Sequence, residues 1–210
     1  MNKYIIEFIG AFFLTLIIAV TGNPIAIGAL LTAIIYMGYE ISGAHYNPAV
    51  TLAVYIIKKI SGKDALFYVL AQLVGAAAAS LFYHLLYGST RIFFVFPDHT
   101  INILKPFSVE IIFTFILVMV VLFTAANSQN KGNQFYGLAI GLTVLALAYG
   151  GHISGSAMNP AVGVMPILFE TVWGACSCHP INHVWIYLAG PLIGAAVAAC
   201  GFRIVNIAEQ

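Results

Sequence analysis

The sequence predicts an all-α membrane fold, six spans and two half-helices arranged as an inverted repeat. Three observations carry that prediction: very few charges, six long apolar runs, and a duplicated segment built around Asn-Pro. Of the 210 residues 61% are apolar and 7% are charged. A soluble domain carries about 25% charged residues, so this chain cannot cover a water-exposed surface of its size. The formal net charge is +1 and there is no basic tract, which leaves nothing for nucleic acid to bind.

Crossing roughly 30 Å of hydrocarbon at 1.5 Å per residue takes about 20 residues. Runs at 4–21, 24–41, 65–87, 107–126, 135–151 and 183–205 reach or approach that length. Lys3 ahead of the first run resembles the start of a signal peptide. Glu7 interrupts that run, however, and no small-residue cleavage site follows Val20, so it reads as a retained span. Two further apolar runs, 48–59 and 160–169, are too short to cross. Each opens with Asn-Pro, where Asn caps a helix and Pro gives up only an N–H that has no partner in the first turn. Two such half-helices meeting end to end would span the bilayer, with irregular backbone tolerated only against protein or a wet cavity. The connections are short, and 88–106 is the longest.

With the N-terminus inside, Lys3, Lys58, Lys59, Lys63, Lys131 and Arg203 fall on the cytoplasmic side and only Arg91 and Lys105 outside. That asymmetry predicts both termini in the cytoplasm, most simply at the cell membrane. Cys176, Cys178 and Cys200 are too few for a disulfide framework. Cys176 and Cys178, with His179 and His183, lack the spacing of a closed zinc site and read as an outer loop, so no metal or other cofactor is expected. Enzyme constellations are missing as well: there is no Ser/His/Asp spacing and no phosphate loop.

The chain repeats itself. Residues 41–50, ISGAHYNPAV, match 153–162, ISGSAMNPAV, in seven of ten positions. Upstream, Ala26-Ile27-Gly28 answers Ala139-Ile140-Gly141, and Glu7 answers Glu110. Tyr68, Gln72, Gly75 and Ala76 answer Tyr187, Pro191, Gly194 and Ala195. A single domain therefore reads as repeat 1, about 1–87, and repeat 2, about 107–210. Each copy holds three spans, an odd number, so the second sits upside down. That plan places a site at the midplane where broken helices meet.

These motifs, over nearly the whole chain, resemble the aquaporin (major intrinsic protein) family: Asn47-Pro48-Ala49 and Asn159-Pro160-Ala161 after Ser-Gly, a glutamate in spans one and four, Gln-x-x-Gly-Ala in span three and Gly-Pro-x-x-Gly-Ala in span six. The resemblance implies a right-handed bundle, a homotetramer with one pore per subunit, and a passive channel for water and small neutral solutes. Physics supports the pairing. A helix N-terminus carries roughly +0.5 of an elementary charge, so two facing N-termini repel cations and hydronium, while the Asn47 and Asn159 amides can donate to a passing oxygen. Backbone carbonyls of 42–46 and 154–158 would form an acceptor ladder. By resemblance His45 lines the inner half of the pore, with Gly43, Ala44 and Ala157, and Glu7 and Glu110 anchor the loops. The other reading of the two carboxylates is proton coupling in a secondary transporter.

Water channels of this family usually carry arginine after the second motif, and this chain has Val162. By the same resemblance the other filter positions fall on Ile27, Ser156 and a span-five residue. Counting back from Asn159 gives Leu147 and counting forward from Gly141 gives Ala148, because span five is one residue short. Such a filter is mostly apolar. Losing arginine removes five fixed donors and a permanent charge, which implies a wider opening that passes ammonia, urea, peroxide or glycerol beside water. A strict glycerol facilitator is the alternative: Ala157-Met158 resembles that group, but Gly163 stands where it has aspartate. A non-conducting structural membrane protein is a third reading.

Overall fold

The computed structural model describes residues 1–88, 93, 97, 102–127, 132–174 and 180–206. The described residues form helices and no strands. In order these are α1 (Asn2–Thr21), α2 (Pro24–Ser42), α3 (Pro48–Ile56), α4 (Gly62–Tyr87), α5 (Leu104–Val121), α6 (Tyr136–Tyr149), α7 (Pro160–Trp173) and α8 (Val184–Val205). Single turns flank some of them: a π-helical turn, Leu122–Ala126, continues α5, and 3₁₀ turns cover Gly151–Ile153 and Pro180–His183. Cys176, Cys178, His179, Arg91 and Lys131 lie outside the described residues.

Among the described residues, five helices are long and apolar enough to cross a membrane. The fifth expected span, 135–151, is the exception. Its helix α6 has 14 residues, about 21 Å of rise. It stops at Gly150 and the chain tightens into the 3₁₀ turn that follows. The second half-helix is longer than the run 160–169 suggested, with α7 reaching Trp173. The first is shorter than 48–59, because the chain leaves α3 at Ile57 and Lys58 takes a φ of +62°.

Asparagine and proline start three helices in the same way. Asn23, Asn47 and Asn159 each accept a backbone N–H through the side-chain oxygen, with proline at the first helical position. Ser61 caps α4 through the Asp64 N–H.

The packing pairs α1 with α4, α5 with α8, and α2 with α6. Half-helix α3 lies against α8, and α7 lies against α4, so each half-helix packs on the last span of the other half. Where α2 crosses α6, an ideal Cβ on Gly28 would stand 2.6 Å from the Gly141 carbonyl oxygen, and one on Gly141 would stand 2.5 Å from that of Gly28. Only glycine permits that approach, and it brings the two halves together at one point. Outward faces carry exposed Leu66, Leu70, Val74, Leu81 and Leu85 on α4, the surface that lipid requires. Polar groups are turned inward, with Glu7, Thr51, Gln72 and Glu110 all fully buried.

Candidate conduction site

The loops before the two Asn-Pro starts follow one backbone recipe. Gly43, Ala44 and Tyr46 have φ of +84°, +51° and +51°, and Gly155, Ser156 and Met158 have +86°, +50° and +50°. Non-glycine residues rarely hold left-handed values, and they persist only where surrounding contacts enforce them. A buried carboxylate does the enforcing in each half. Glu7 Oε1 accepts from Ser42 Oγ at 2.6 Å and His45 N at 2.9 Å, and Oε2 accepts from Tyr46 N at 2.7 Å. Glu110 Oε1 accepts from Ser154 Oγ at 2.7 Å and Ala157 N at 3.0 Å, and Oε2 accepts from Met158 N at 2.7 Å. Two tyrosine hydroxyls complete the frame, Tyr68 donating to Ser42 O at 2.7 Å and Tyr187 to Ser154 O at 2.6 Å.

This frame aims the peptide groups. Among the described residues, the carbonyls of Gly43, Ala44 and His45, and of Gly155, Ser156 and Ala157, accept no hydrogen bond, and all six residues line the central cavity. They leave six acceptor groups along the loops that border the cavity. Asn47 Nδ2 donates to Met158 O at 2.8 Å, and Asn159 Nδ2 donates to Tyr46 O at 3.0 Å. These crossed bonds butt the starts of α3 and α7 against each other. An asparagine amide has two N–H groups, so each keeps one for the lumen while its Oδ1 takes the cap bond from Ala49 N or Ala161 N. Pro48, Ala49, Pro160 and Ala161 are buried in the first turns.

The cavity measures about 90 Å³, against roughly 10–15 Å³ for one water. The apolar part of its wall comes in matched pairs from the two halves: Leu14 and Leu117, Ile27 and Ile140, Leu31 and Val144, Val50 and Val162. Ile27, Ala148, Ser156 and Val162 all line it, whereas Leu147 does not. Leu147 instead packs on the core and its carbonyl accepts from Ser156 Oγ at 3.2 Å. The hydroxyl proton is thereby occupied and only lone pairs remain for the lumen. Pro166 has no N–H to give the Val162 carbonyl four residues back. Gly163 lies against Tyr187, where an added Cβ would stand 2.5 Å from the Tyr187 Cβ. An aspartate does not fit there without repacking.

His45 lines the cavity and also a larger one of about 460 Å³ at the end that carries Lys3 and Asp64. Its Nδ1 lies 3.1 Å from Thr51 Oγ1, which bonds Asn47 O at 3.0 Å and accepts from Gln72 Nε2 at 3.0 Å. With the Thr51 proton on the Asn47 carbonyl, Nδ1 donates, and Nε2 of the neutral ring is left as an acceptor. Gln72 Nε2 also donates to Glu7 Oε2 at 2.7 Å. Glu40 and His152 are exposed. The supporting roles of Ser42, Ser154, Tyr68 and Tyr187 were not foreseen, although the repeat signalled them: all four sit at matched positions. Thr51 and Tyr39 carry no such signal because they break the repeat.

The comparisons with known proteins agree with this architecture. The family described as Major intrinsic protein matches residues 1–202. A glycerol uptake facilitator protein-like 6 of Lactiplantibacillus plantarum is 33% identical, covering 98% of this chain and 99% of its own. Aquaporin AqpM of Methanothermobacter thermautotrophicus is also 33% identical, covering 96% of both. The aquaglyceroporin from Plasmodium falciparum superposes with a TM-score of 0.80 at 23% identity, over 96% of this chain and 94% of that one, which speaks to the fold. Family match, relatives and paired Asn-Pro starts converge: this chain is a member of the major intrinsic protein family, an integral membrane protein with several spans.

Proposed function

We propose that this chain is a passive channel for water and other small neutral solutes, with ammonia, urea, peroxide and glycerol as the solutes to test, and that it excludes protons and ions where α3 and α7 meet. The observation that carries the reading is the pair of crossed asparagine bonds between the two loops. Two helix N-termini face the same wetted spot, where a cation loses hydration and meets like charge. A neutral oxygen instead finds one free N–H on each of Asn47 and Asn159. A water that accepts from both turns its own protons away toward the carbonyl ladders, and the proton-hopping chain is broken there. Nothing in this requires a chemical step.

The filter in this reading is Ile27, Ala148, Ser156 and Val162. It offers no charged donor, so it sorts neutral solutes by size and lets more than water through. Residues 1–87 and 107–210 act as the two inverted halves. The assembly is a homotetramer in the cell membrane with both termini cytoplasmic, which makes the Lys3 end the inner one. Stopped-flow measurements on proteoliposomes holding the purified protein test this, comparing water, glycerol, urea, ammonia and peroxide. Fast water flux with at least one solute passing and no proton conductance is expected. Glycerol flux without water flux would favour a strict glycerol facilitator, and no flux above protein-free vesicles would reject the channel.

A further inference from the structure

The central cavity and the 460 Å³ vestibule at the Lys3 end share five lining residues: Tyr39, Gly43, His45, Val121 and Ala125. A solute moving between the two must pass among them. Tyr39 is the largest side chain of the five, and with Ala125 it also lines a third cavity, about 690 Å³, at the same end. It therefore stands at the junction of all three spaces.

Two contacts hold its ring in place. The hydroxyl donates to the carbonyl of Ala125, inside the π-helical turn Leu122–Ala126 that ends the fourth span. Carbonyls in the last turn of a helix lack partners within it, and a π turn is rare and frequently found at functional sites. The ring packs against that of Tyr136 on α6, tilted by 33° with centroids 4.1 Å apart. Tyr39 thus bridges α2 to α5 and α6 across the mouth. The other half of the molecule has no counterpart. Two residues before the shared Ile-Ser-Gly stands Gly151, and a Cβ there would collide with Ser156 Oγ. One end of the pore is narrowed by an aromatic ring where the other end has glycine.

We infer that Tyr39 is a size-determining residue for permeation, forming a second constriction at the Lys3 end that holds back glycerol and urea more than water. The inference rests on the channel reading above. A single hydrogen bond and one ring contact restrain the side chain, so it can yield to water-sized solutes and resists larger ones.

The test is stopped-flow on proteoliposomes of the full chain carrying Tyr39→Ala, Tyr39→Trp or Tyr39→Phe, with water, urea and glycerol as probes. Tyr39→Ala is expected to raise the glycerol-to-water permeability ratio about threefold or more, and Tyr39→Trp to lower it by a similar factor, as pore width dictates. Tyr39→Phe keeps the bulk but frees the ring from Ala125, and its ratio should fall between the unaltered protein and Tyr39→Ala. Opposite shifts from Ala and Trp cannot both come from misfolding. Unchanged ratios in both variants, with water flux intact, would overturn the assignment of Tyr39. Loss of every flux in the unaltered protein as well would instead overturn the channel itself.

Discussion

The two loops that present Asn47 and Asn159 share a backbone, yet the side chains built around them differ. Both use the same left-handed positions, the same carboxylate anchor and the same tyrosine brace. Around that frame, His45 corresponds in the repeat to Ala157 and Ala44 to Ser156, while Thr51, Gln72 and Tyr39 correspond to Gly163, Pro191 and Gly151. The shared part is what aims carbonyls and amides at the lumen. In the reading proposed above the unshared part tunes what passes, and the Lys3 end carries the larger and more polar set. Duplication preserves the machinery of a pore, while each mouth is free to diverge.

Glutamine in place of either carboxylate probes the shared frame hardest. Glu7 has four donors, counting Gln72, and Glu110 has three. Glu7→Gln and Glu110→Gln should each destabilise the protein by about 3 kcal/mol, since the amide nitrogen that replaces one carboxylate oxygen cannot accept from the buried donors aimed at it. The first should cost roughly 1.5 kcal/mol more, one charge-assisted bond. Unfolding in detergent measures both, and the reverse order would contradict the count of donors.

Gly163→Asp sharpens the contrast between Thr51 and Gly163. The new side chain meets Tyr187 and Ala157, and overpacking of this kind costs about 1–3 kcal/mol. Unaltered thermal stability in Gly163→Asp would show that Tyr187 yields more readily than its packing indicates.

Val162→Arg asks whether the apolar Trp173 end lets solutes through. Restoring five donors and a charge should cut urea and glycerol flux about tenfold, roughly 1.4 kcal/mol of barrier, and water flux much less. Equal loss of all fluxes would point to plugging rather than selection. The smallest effect is expected from Ser156→Ala, which removes the bond to the Leu147 carbonyl. Its stability cost should stay near 1 kcal/mol, with solute ratios moving less than about twofold by stopped-flow.

Local chemistry determined much of this protein from sequence alone. Few charges and long apolar runs established a membrane bundle, Asn-Pro pairs marked where helices begin, and the duplicated decapeptide set two half-helices against each other. The caps and spans are set by neighbours along the chain and need no distant partner, and the duplication is legible by comparing the sequence with itself. Tertiary structure decided the rest. Leu147 and Ala148 could not be separated by counting, because the missing residue of span five had no fixed place. In the fold α6 runs to Tyr149 before the turn at Gly150 and Gly151, and of the two residues it is Ala148 that borders the central cavity. The crossed bonds from Asn47 to Met158 and from Asn159 to Tyr46, and the bridge from Tyr39 to Ala125, join residues far apart in the chain. Periodicity along one helix says which side faces inward, and only packing of all eight says what waits on the other side.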